Sequence, residues 1–255
     1  MSKEMKGLSF DLPKNQSNVI KVIGVGGGGS NAVNHMCQKG IKGVDFVVCN
    51  TDAQALQNSP VPTKIQLGVS LTEGLGAGAN PEVGEQAAIE SIDDIKKMFG
   101  TSTKMVFITV GMGGGTGTGA SPIIAREAKK AGALVISFCT LPFKMEGDEK
   151  EIIANEGLLK LAENSDTIIP LPNEKLMILV PNLTLMKGFK IIYEILIRSV
   201  RGIVDLVSNC GLVNLDLADV KNILKRSNGT SGYIGKSEIK MEDISKDNNS
   251  TPSPM

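Results

Sequence analysis

The stretch Gly111–Pro122 reads GMGGGTGTGASP, with six glycines and two threonines in twelve residues. It lies between an apolar run, KMVFITV, and a helix-compatible run, IIAREAKKAG. In regular structure each glycine costs about 0.5–1 kcal/mol against alanine, because its backbone has the most freedom to lose. The chemistry that offsets such a cost is anion binding. The first four N–H groups of a helix lack internal partners, and the helix dipole adds positive potential there. Without a Cβ in the way, those amides can wrap a phosphate, and Thr116 and Thr118 add hydroxyl donors. Close helix–sheet packing at a tight turn is the competing explanation. It suits one or two glycines better than the five in the seven residues Gly113–Gly119.

A second glycine run, GVGGGGSNAVN, also follows a strand-like segment and places Gly24, Gly26 and Gly29 in GxGxxG spacing. Alone, that spacing suggests a dinucleotide-binding unit with an acidic residue near the end of the second strand. Asn50 and Asp52 in NTDAQAL leave a nicotinamide-dependent oxidoreductase open on this loop. The second glycine run shifts the balance: two such runs and GLGAGANPEVG can surround a longer triphosphate. No GxxxxGK[ST] occurs, so a P-loop is excluded.

Composition narrows the classes further. The 255 residues carry 27 basic and 27 acidic side chains, and this neutral balance argues against a general nucleic-acid binder. Aromatic residues are scarce, with no Trp, which weakens any base-stacking platform for single strands. Cys37, Cys49, Cys139 and Cys210 are far apart and His35 is the only histidine, so a structural zinc site is not expected. Cys49 and Cys139 lie in strand-like runs and are expected to be buried free thiols. The polar start, MSKEMKGLSFDLPKNQSN, is no secretory signal, and no apolar run is long enough to span a membrane.

The elements that must position these loops alternate along the chain. VIKVIGV, VDFVVCN, KMVFITV, ALVISFCTL and DTIIPLP read as strands. Helices are expected over Asn31–Lys39, Pro81–Gly100, Ser121–Ala131 and Glu149–Glu163, with the glycine runs as loops between them. Strands alternating with helices predict an α/β fold with a doubly wound, mainly parallel, Rossmann-like sheet. Ligands of such sheets bind beyond the strands' carboxyl ends, where the unusual residues cluster. From Gly188 to Ser208, Phe189, Ile192, Tyr193, Leu196, Val200, Ile203, Val204 and Val207 form an amphipathic stripe, expected to pack on the sheet edge, and Asn209 and Gly211 then stop the helix. The organisation expected is a flexible leader over 1–17, a nucleotide-binding domain over 18–187, a central helix with a catalytic loop and following helix over 188–226, and an irregular, disordered tail over 227–255.

Taken in order, IKVIGVGGGGSNAVNHM, NTDAQAL, GLGAGANPEVG, GMGGGTGTGASP, PFKMEG, LPNEKL and GLVNLDLADV resemble the tubulin/FtsZ family of GTPases, and within it the cell-division branch. The specific core of the resemblance is GGGTGTG, and the whole covers roughly Val19–Lys225. It implies a tubulin-type nucleotide-binding domain that uses GTP or GDP with Mg2+. It implies that Gly27, Gly28, Gly29, Ser30 and Asn31 line the nucleotide, with Ser30 where the family often has glycine. Asp52 would lie near the nucleotide, and Ala77 and Gly78 near the outer phosphates. Gly114, Gly115, Thr116, Gly117 and Thr118 would cradle the phosphates, Glu146 would bond the ribose, and Asn173 would meet the guanine edge. Asp216 and Asp219 would enter the next subunit's site and polarise the attacking water, although Asp216 also suits an N-cap for LADVKNILKR. The resemblance further implies a cytoplasmic protein at the midcell division site. Its partners would be itself in a head-to-tail homopolymer, full-length relatives and division proteins, with membrane contact only through partners.

The chain departs from the family pattern at several places. Lys150 stands where Arg is usual and lacks the planar fork that grips phosphate bidentately. Glu194 takes the place of a base-contacting Asp, and Tyr193 that of a neighbouring Asn. Set against the family pattern, the sequence is expected to lack most of the family's second domain. That raises an alternative: a chain that binds GTP, hydrolyses little, and caps or modulates filaments of full-length relatives.

Overall fold

Strands form here because β-branched and apolar residues run without interruption. Every residue of IKVIGV is buried, the mark of a strand covered on both faces. The computed structural model describes residues 18–175 and 185–208. Six strands make one sheet: β1 (Ile20–Val25), β2 (Asp45–Asn50), β3 (Thr63–Gln66), β4 (Met105–Gly111), β5 (Leu134–Leu141) and β6 (Thr167–Pro172). Their order is β3-β2-β1-β4-β5-β6, and every neighbouring pair is parallel. β3 forms one edge; β6, which includes Pro170 and Pro172, forms the other.

The helices are α1 (Gly26–Gln38), α2 (Ala53–Gln57), α3 (Val69–Thr72), α4 (Pro81–Glu90), α5 (Ile92–Phe99), α6 (Gly115–Lys130), α7 (Asp148–Asn164) and α8 (Leu185–Ser208). One sheet face packs Ile23, Val25, Ile108, Val110 and Cys139 against Phe99, Ala120, Ile124 and Leu161. The opposite face packs Val22, Phe107, Phe138 and Ile169 against Val33, Met36, Ile192, Leu196 and Val200. α4 to α7 therefore cover one face, and α1 and α8 the other. This is the doubly wound arrangement that the strand–helix alternation predicts.

The details depart from the sequence reading in four ways. Both glycine runs are helical: α1 begins at Gly26 and α6 at Gly115, several residues ahead of Asn31 and Ser121. The helix expected over Pro81–Gly100 is two helices, broken at Ser91, whose φ of −93° and ψ of 21° leave helical geometry. The Ser91 hydroxyl accepts from Gly68 N at 3.0 Å and donates to Gln66 O at 3.4 Å, which ties the break to the β3–α3 connection. β3, α2 and α3 had no sequence signal strong enough to name them. The α8 stripe lies across a sheet face rather than along its edge, because the face over Phe107, Phe138 and Ile169 offers the larger apolar surface to cover. The leader, the segment after Lys175, the helix stop at Asn209 and Gly211, the loop with Asp216 and Asp219, and the tail lie outside the described residues.

Candidate functional site

At the centre of the sheet the chain leaves β1 toward one face and β4 toward the other. Val25 and Val110 are partners in the β1–β4 ladder, so α1 and α6 start side by side. Such a switch point leaves a crevice beyond the strand ends, where open α/β sheets bind ligands. The two starts nearly touch. A methyl group on Gly26, which holds φ +68°, would sit 2.7 Å from Gly117 N, and one on Gly28 would sit 3.3 Å from Gly111 Cα. Neither α1 nor α6 has a side-chain cap or an acidic residue in its first turn. α2 and α4 differ: Asp52 accepts from Ala55 N at 3.0 Å, and Asn80 from Glu82 N at 2.8 Å. Two adjacent helix starts thus keep their amides uncapped by side chains.

The glycines divide into two groups. Several are required by packing. A Cβ at Gly119 would overlap the Pro81 carbonyl oxygen, one at Gly29 the Thr109 carbonyl oxygen, and one at Gly84 the Gly115 carbonyl oxygen. A Cβ at Gly115 would lie 2.8 Å from Asn80 N, and one at Gly117 2.7 Å from Gly111 O. Close packing therefore explains more of this run than the one or two glycines the sequence reading allowed it, because α4 and β4 both press on α6. Gly27 and Gly114 face open space, where an added Cβ meets nothing within 4 Å. Gly113 holds φ +96°, a left-handed turn that glycine supplies without strain, and brings the backbone next to Lys150.

The other residues singled out by sequence gather round this crevice to differing degrees. Thr116 Oγ1 lies 2.6 Å from Thr51 Oγ1, joining the end of β2 to α6. Thr118 Oγ1 accepts from Gly113 N at 3.0 Å, so this hydroxyl shapes the turn before α6. Asp52 spends its carboxylate on capping α2, and its segment bridges Leu75. Ala77 and Gly78 lie in the loop that approaches Gly115; Ala77 is buried and Gly78 exposed. Glu146 accepts from Phe143 N at 2.8 Å and from Lys150 Nζ at 3.1 Å, so two expected ligand contacts engage each other across an exposed helix start. Asn173 is buried just after β6.

Four buried side-chain polar atoms among the described residues have no hydrogen-bond partner: Ser30 Oγ, Ser121 Oγ, Thr167 Oγ1 and Asn173 Oδ1. Such orphans are uncommon, because leaving one unsatisfied costs about 1–3 kcal/mol. Ser30 and Asn173 are among the residues that the sequence placed at the ligand.

Glu194 does not join this group. Its carboxylate binds Lys39 Nζ at 3.2 Å and His35 Nε2 at 3.3 Å, beside the C-terminal end of α1. Burial pushes this carboxyl up, but the hydrogen bonds and charges of Lys39 and His35 outweigh it and hold the group below its ordinary value. Asp216 and Asp219 lie outside the described residues. The sequence reading missed Thr51, although it adjoins Asp52 in a quoted motif. It also missed the placement of Phe189 and Tyr193 against the first turn of α1, which only the α1–α8 packing reveals.

Cys49 and Cys139 are buried free thiols, as expected; burial pushes Cys49 up to about 12 and Cys139 higher still. A cleft of about 190 Å³ runs between α4, α6 and α7, lined by Pro122, Arg126, Glu156 and Lys160 among others. It opens on the outer side of α6, away from the β1–β4 crevice. The uncapped helix starts border the crevice and not this cleft.

Comparison with known proteins places these features in a family. The GTPase-domain model of the Tubulin/FtsZ family matches residues 19–181. The chain is similar to the cell division protein FtsZ of Pseudomonas putida, at 52% identity over 84% of this chain and 54% of that one. Among solved structures, an empty FtsZ dimer from M. jannaschii matches with a TM-score of 0.77 and 46% identity, over 83% of this chain and 61% of that one. A GTPgS-bound protofilament of CetZ2 from Haloferax volcanii, at 24% identity and a TM-score of 0.70, shares the fold. The chain spans a little over half the length of the curated relatives it matches.

Proposed function

This chain belongs to the Tubulin/FtsZ family, and from that premise we propose that it binds GTP across the starts of α1 and α6 and hydrolyses it when copies associate head to tail. The observation that carries the reading is the pair of uncapped glycine helix starts meeting at the β1–β4 switch point. In this reading the amides of Gly27–Asn31 and Gly114–Thr118 take the phosphates. Ala77 and Gly78 stand near the outer ones, Glu146 takes the ribose, and Asn173 offers its unpartnered Oδ1 to the base. Open space at Gly27 and Gly114 supports the fit, since phosphate oxygens can reach the backbone there. Lys150 supplies positive charge once it leaves Glu146. Glu194 would have to leave Lys39 and His35 to read a base.

Mg2+ would arrive with the triphosphate and supply charge neutralisation between its oxygens. Such ions take one or two protein oxygens beside phosphate and water ligands. The Thr51 and Thr116 hydroxyls are the protein oxygens placed beside the cradle. Hydrolysis needs positioning and charge stabilisation more than covalent chemistry. Asp216 and Asp219 of a neighbouring copy would orient the attacking water. The water oxygen would bond the γ-phosphorus as the bond from that phosphorus to its bridging oxygen breaks, so that GDP, inorganic phosphate and a proton leave. The cellular role that follows is a self-associating division-ring protein at midcell. Among the described residues no helix is long and apolar enough to cross a membrane.

Calorimetric titration with GTP, GDP and NADH, followed by GTP-dependent sedimentation with phosphate release, tests this. Binding of GTP and GDP but not NADH is expected, with phosphate release that rises steeply with protein concentration. A chain that binds neither guanine nucleotide at millimolar levels overturns it. Asp219→Ala is expected to keep GTP affinity and lower phosphate release about 100-fold or more, in the range usual for removing a residue that orients the nucleophile. Unchanged release removes Asp219 from the mechanism.

A further inference from the structure

The residue that follows β2 is a threonine that solvent does not reach. Thr51 is fully buried, whereas Thr116, in the first turn of α6, keeps 9% of its surface exposed. Their hydroxyl oxygens lie 2.6 Å apart. A hydroxyl has one proton to give and two lone pairs that can accept. Among the described residues, neither of these two hydroxyls has another hydrogen-bond partner.

One oxygen must donate and the other accept, and burial decides which. If Thr116 donated, the Thr51 proton would be shut away from solvent with nothing to receive it, and a buried donor left so bears its full desolvation cost. If Thr51 donates, its proton is satisfied. The proton left over is then that of Thr116, the more exposed residue, at the uncapped start of α6. The backbone around Thr51 is fixed on both sides. Its carbonyl accepts from Thr72 Oγ1 at 3.4 Å, the Asn50 carbonyl before it accepts from Leu67 N at 2.8 Å, and Ala53 N after it donates to Gly74 O at 3.0 Å. Thr116 in turn sits where the two glycine starts meet: a methyl group on Gly26 would come 3.5 Å from its carbonyl carbon.

We propose that Thr51 is a positioning residue for phosphate: it donates to Thr116 and so commits the Thr116 proton to an oxygen of the nucleotide's phosphate chain. The proposal rests on the nucleotide reading above. Hydrogen bonds in series polarise one another, so accepting from Thr51 makes Thr116 a stronger donor. A charged phosphate oxygen is the acceptor that gains most from it. Thr51 itself, being buried, acts only through Thr116.

The test is calorimetric titration with GDP of the wild-type chain, Thr51→Val, Thr51→Ser, Thr116→Val and the double valine variant. Thr51→Val keeps the shape and removes the proton, and GDP is expected to bind about 3- to 10-fold more weakly, the range of one net hydrogen bond. Thr51→Ser keeps the donor and is expected to stay within about 2-fold of wild type. With Thr116 already valine, Thr51→Val is expected to change nothing further, because residues acting in series are not additive. Equal losses in both backgrounds make Thr51 a packing residue and overturn the proposal, as does an unchanged affinity in Thr51→Val or a serine that fails to restore it. A wild-type chain that binds no GDP removes the nucleotide reading and this proposal with it. Wild-type binding with no effect of Thr51→Val removes the proposal alone. Hydroxyl-proton exchange in the unaltered chain, read by NMR, decides the matter if the valine variants do not fold. Without ligand the Thr51 proton is expected to be protected from exchange and the Thr116 proton not, and saturating GDP is expected to protect both. Any other pattern overturns the proposal.

Discussion

α4 and α6 lie against each other and both begin at the same end of the molecule, yet their first turns are built oppositely. α4 starts with Asn80 as its own cap, Pro81 in the first position and Glu82 in the first turn. Each of those choices satisfies or replaces an orphan donor, or complements the helix dipole, within the chain. α6 starts at Gly114 with no side-chain cap and no acid. The contrast is the instructive part. A helix that finishes its own hydrogen bonding is a structural strut. A neighbour that leaves its amides uncapped at a strand switch point is arranged for something from outside.

Four measurements break or sharpen that contrast, and the largest effect is expected where the two helices meet. Gly119→Ala forces a methyl group into the Pro81 carbonyl, and the helices must separate. Overpacking of this kind costs about 3 kcal/mol or prevents folding, read by urea unfolding. A change under about 1 kcal/mol would show that the contact is loose. Gly114→Asp gives α6 the kind of cap α4 has, in open space. Stability is expected within about 0.5 kcal/mol of wild type, because glycine is already a tolerable cap. GTP affinity is expected to fall about 100-fold, or ~2.7 kcal/mol, as a carboxylate occupies the phosphate's place. Equal affinity would mean that the uncapped start binds nothing. Asn80→Ala removes the α4 cap and is expected to cost about 1 kcal/mol in the same unfolding assay.

The smallest effect belongs to the charges beside the other uncapped helix. Glu194 is partly exposed, so Glu194→Gln is expected to cost roughly 0.5 kcal/mol near neutral pH. Its folded-state pKa is lowered, so the stabilisation is present above the ordinary value of 4.5 and is lost as pH falls through the lower folded one. Wild type and variant should therefore converge in acid, below the lowered folded-state value. A difference that persists there would mean that packing, and not charge, holds α8 on α1.

Much of the architecture was legible because its signals are local. The strands are runs of buried β-branched residues, and Asn80–Pro81 announces α4 in residue types alone. What escaped was set by partners far along the chain. Gly115, Gly117 and Gly119 look like breakers of a helix, and the helix runs through them because α4 and β4 press close enough to exclude a Cβ. β3 carries one apolar residue in TKIQ, too few for any period, and exists because Val47–Asn50 gives it a ladder to join. At the site, the glycine starts and Asn173 could be named from the sequence. The engagement of Glu194 by Lys39 and His35, and of Lys150 by Glu146, could not, since each depends on which long side chains are within reach after folding.

The far edge of the sheet has a consequence for how copies of this molecule meet. A proline nitrogen carries no hydrogen, and sheets tolerate it where the missing donor faces outward. With Pro170 and Pro172 in β6, that rim offers a newcomer few amides to grip. If copies associate as proposed, the contact at this border would run through loops and helix ends, and a runaway stack of strands, the usual hazard of a parallel edge, is disfavoured there.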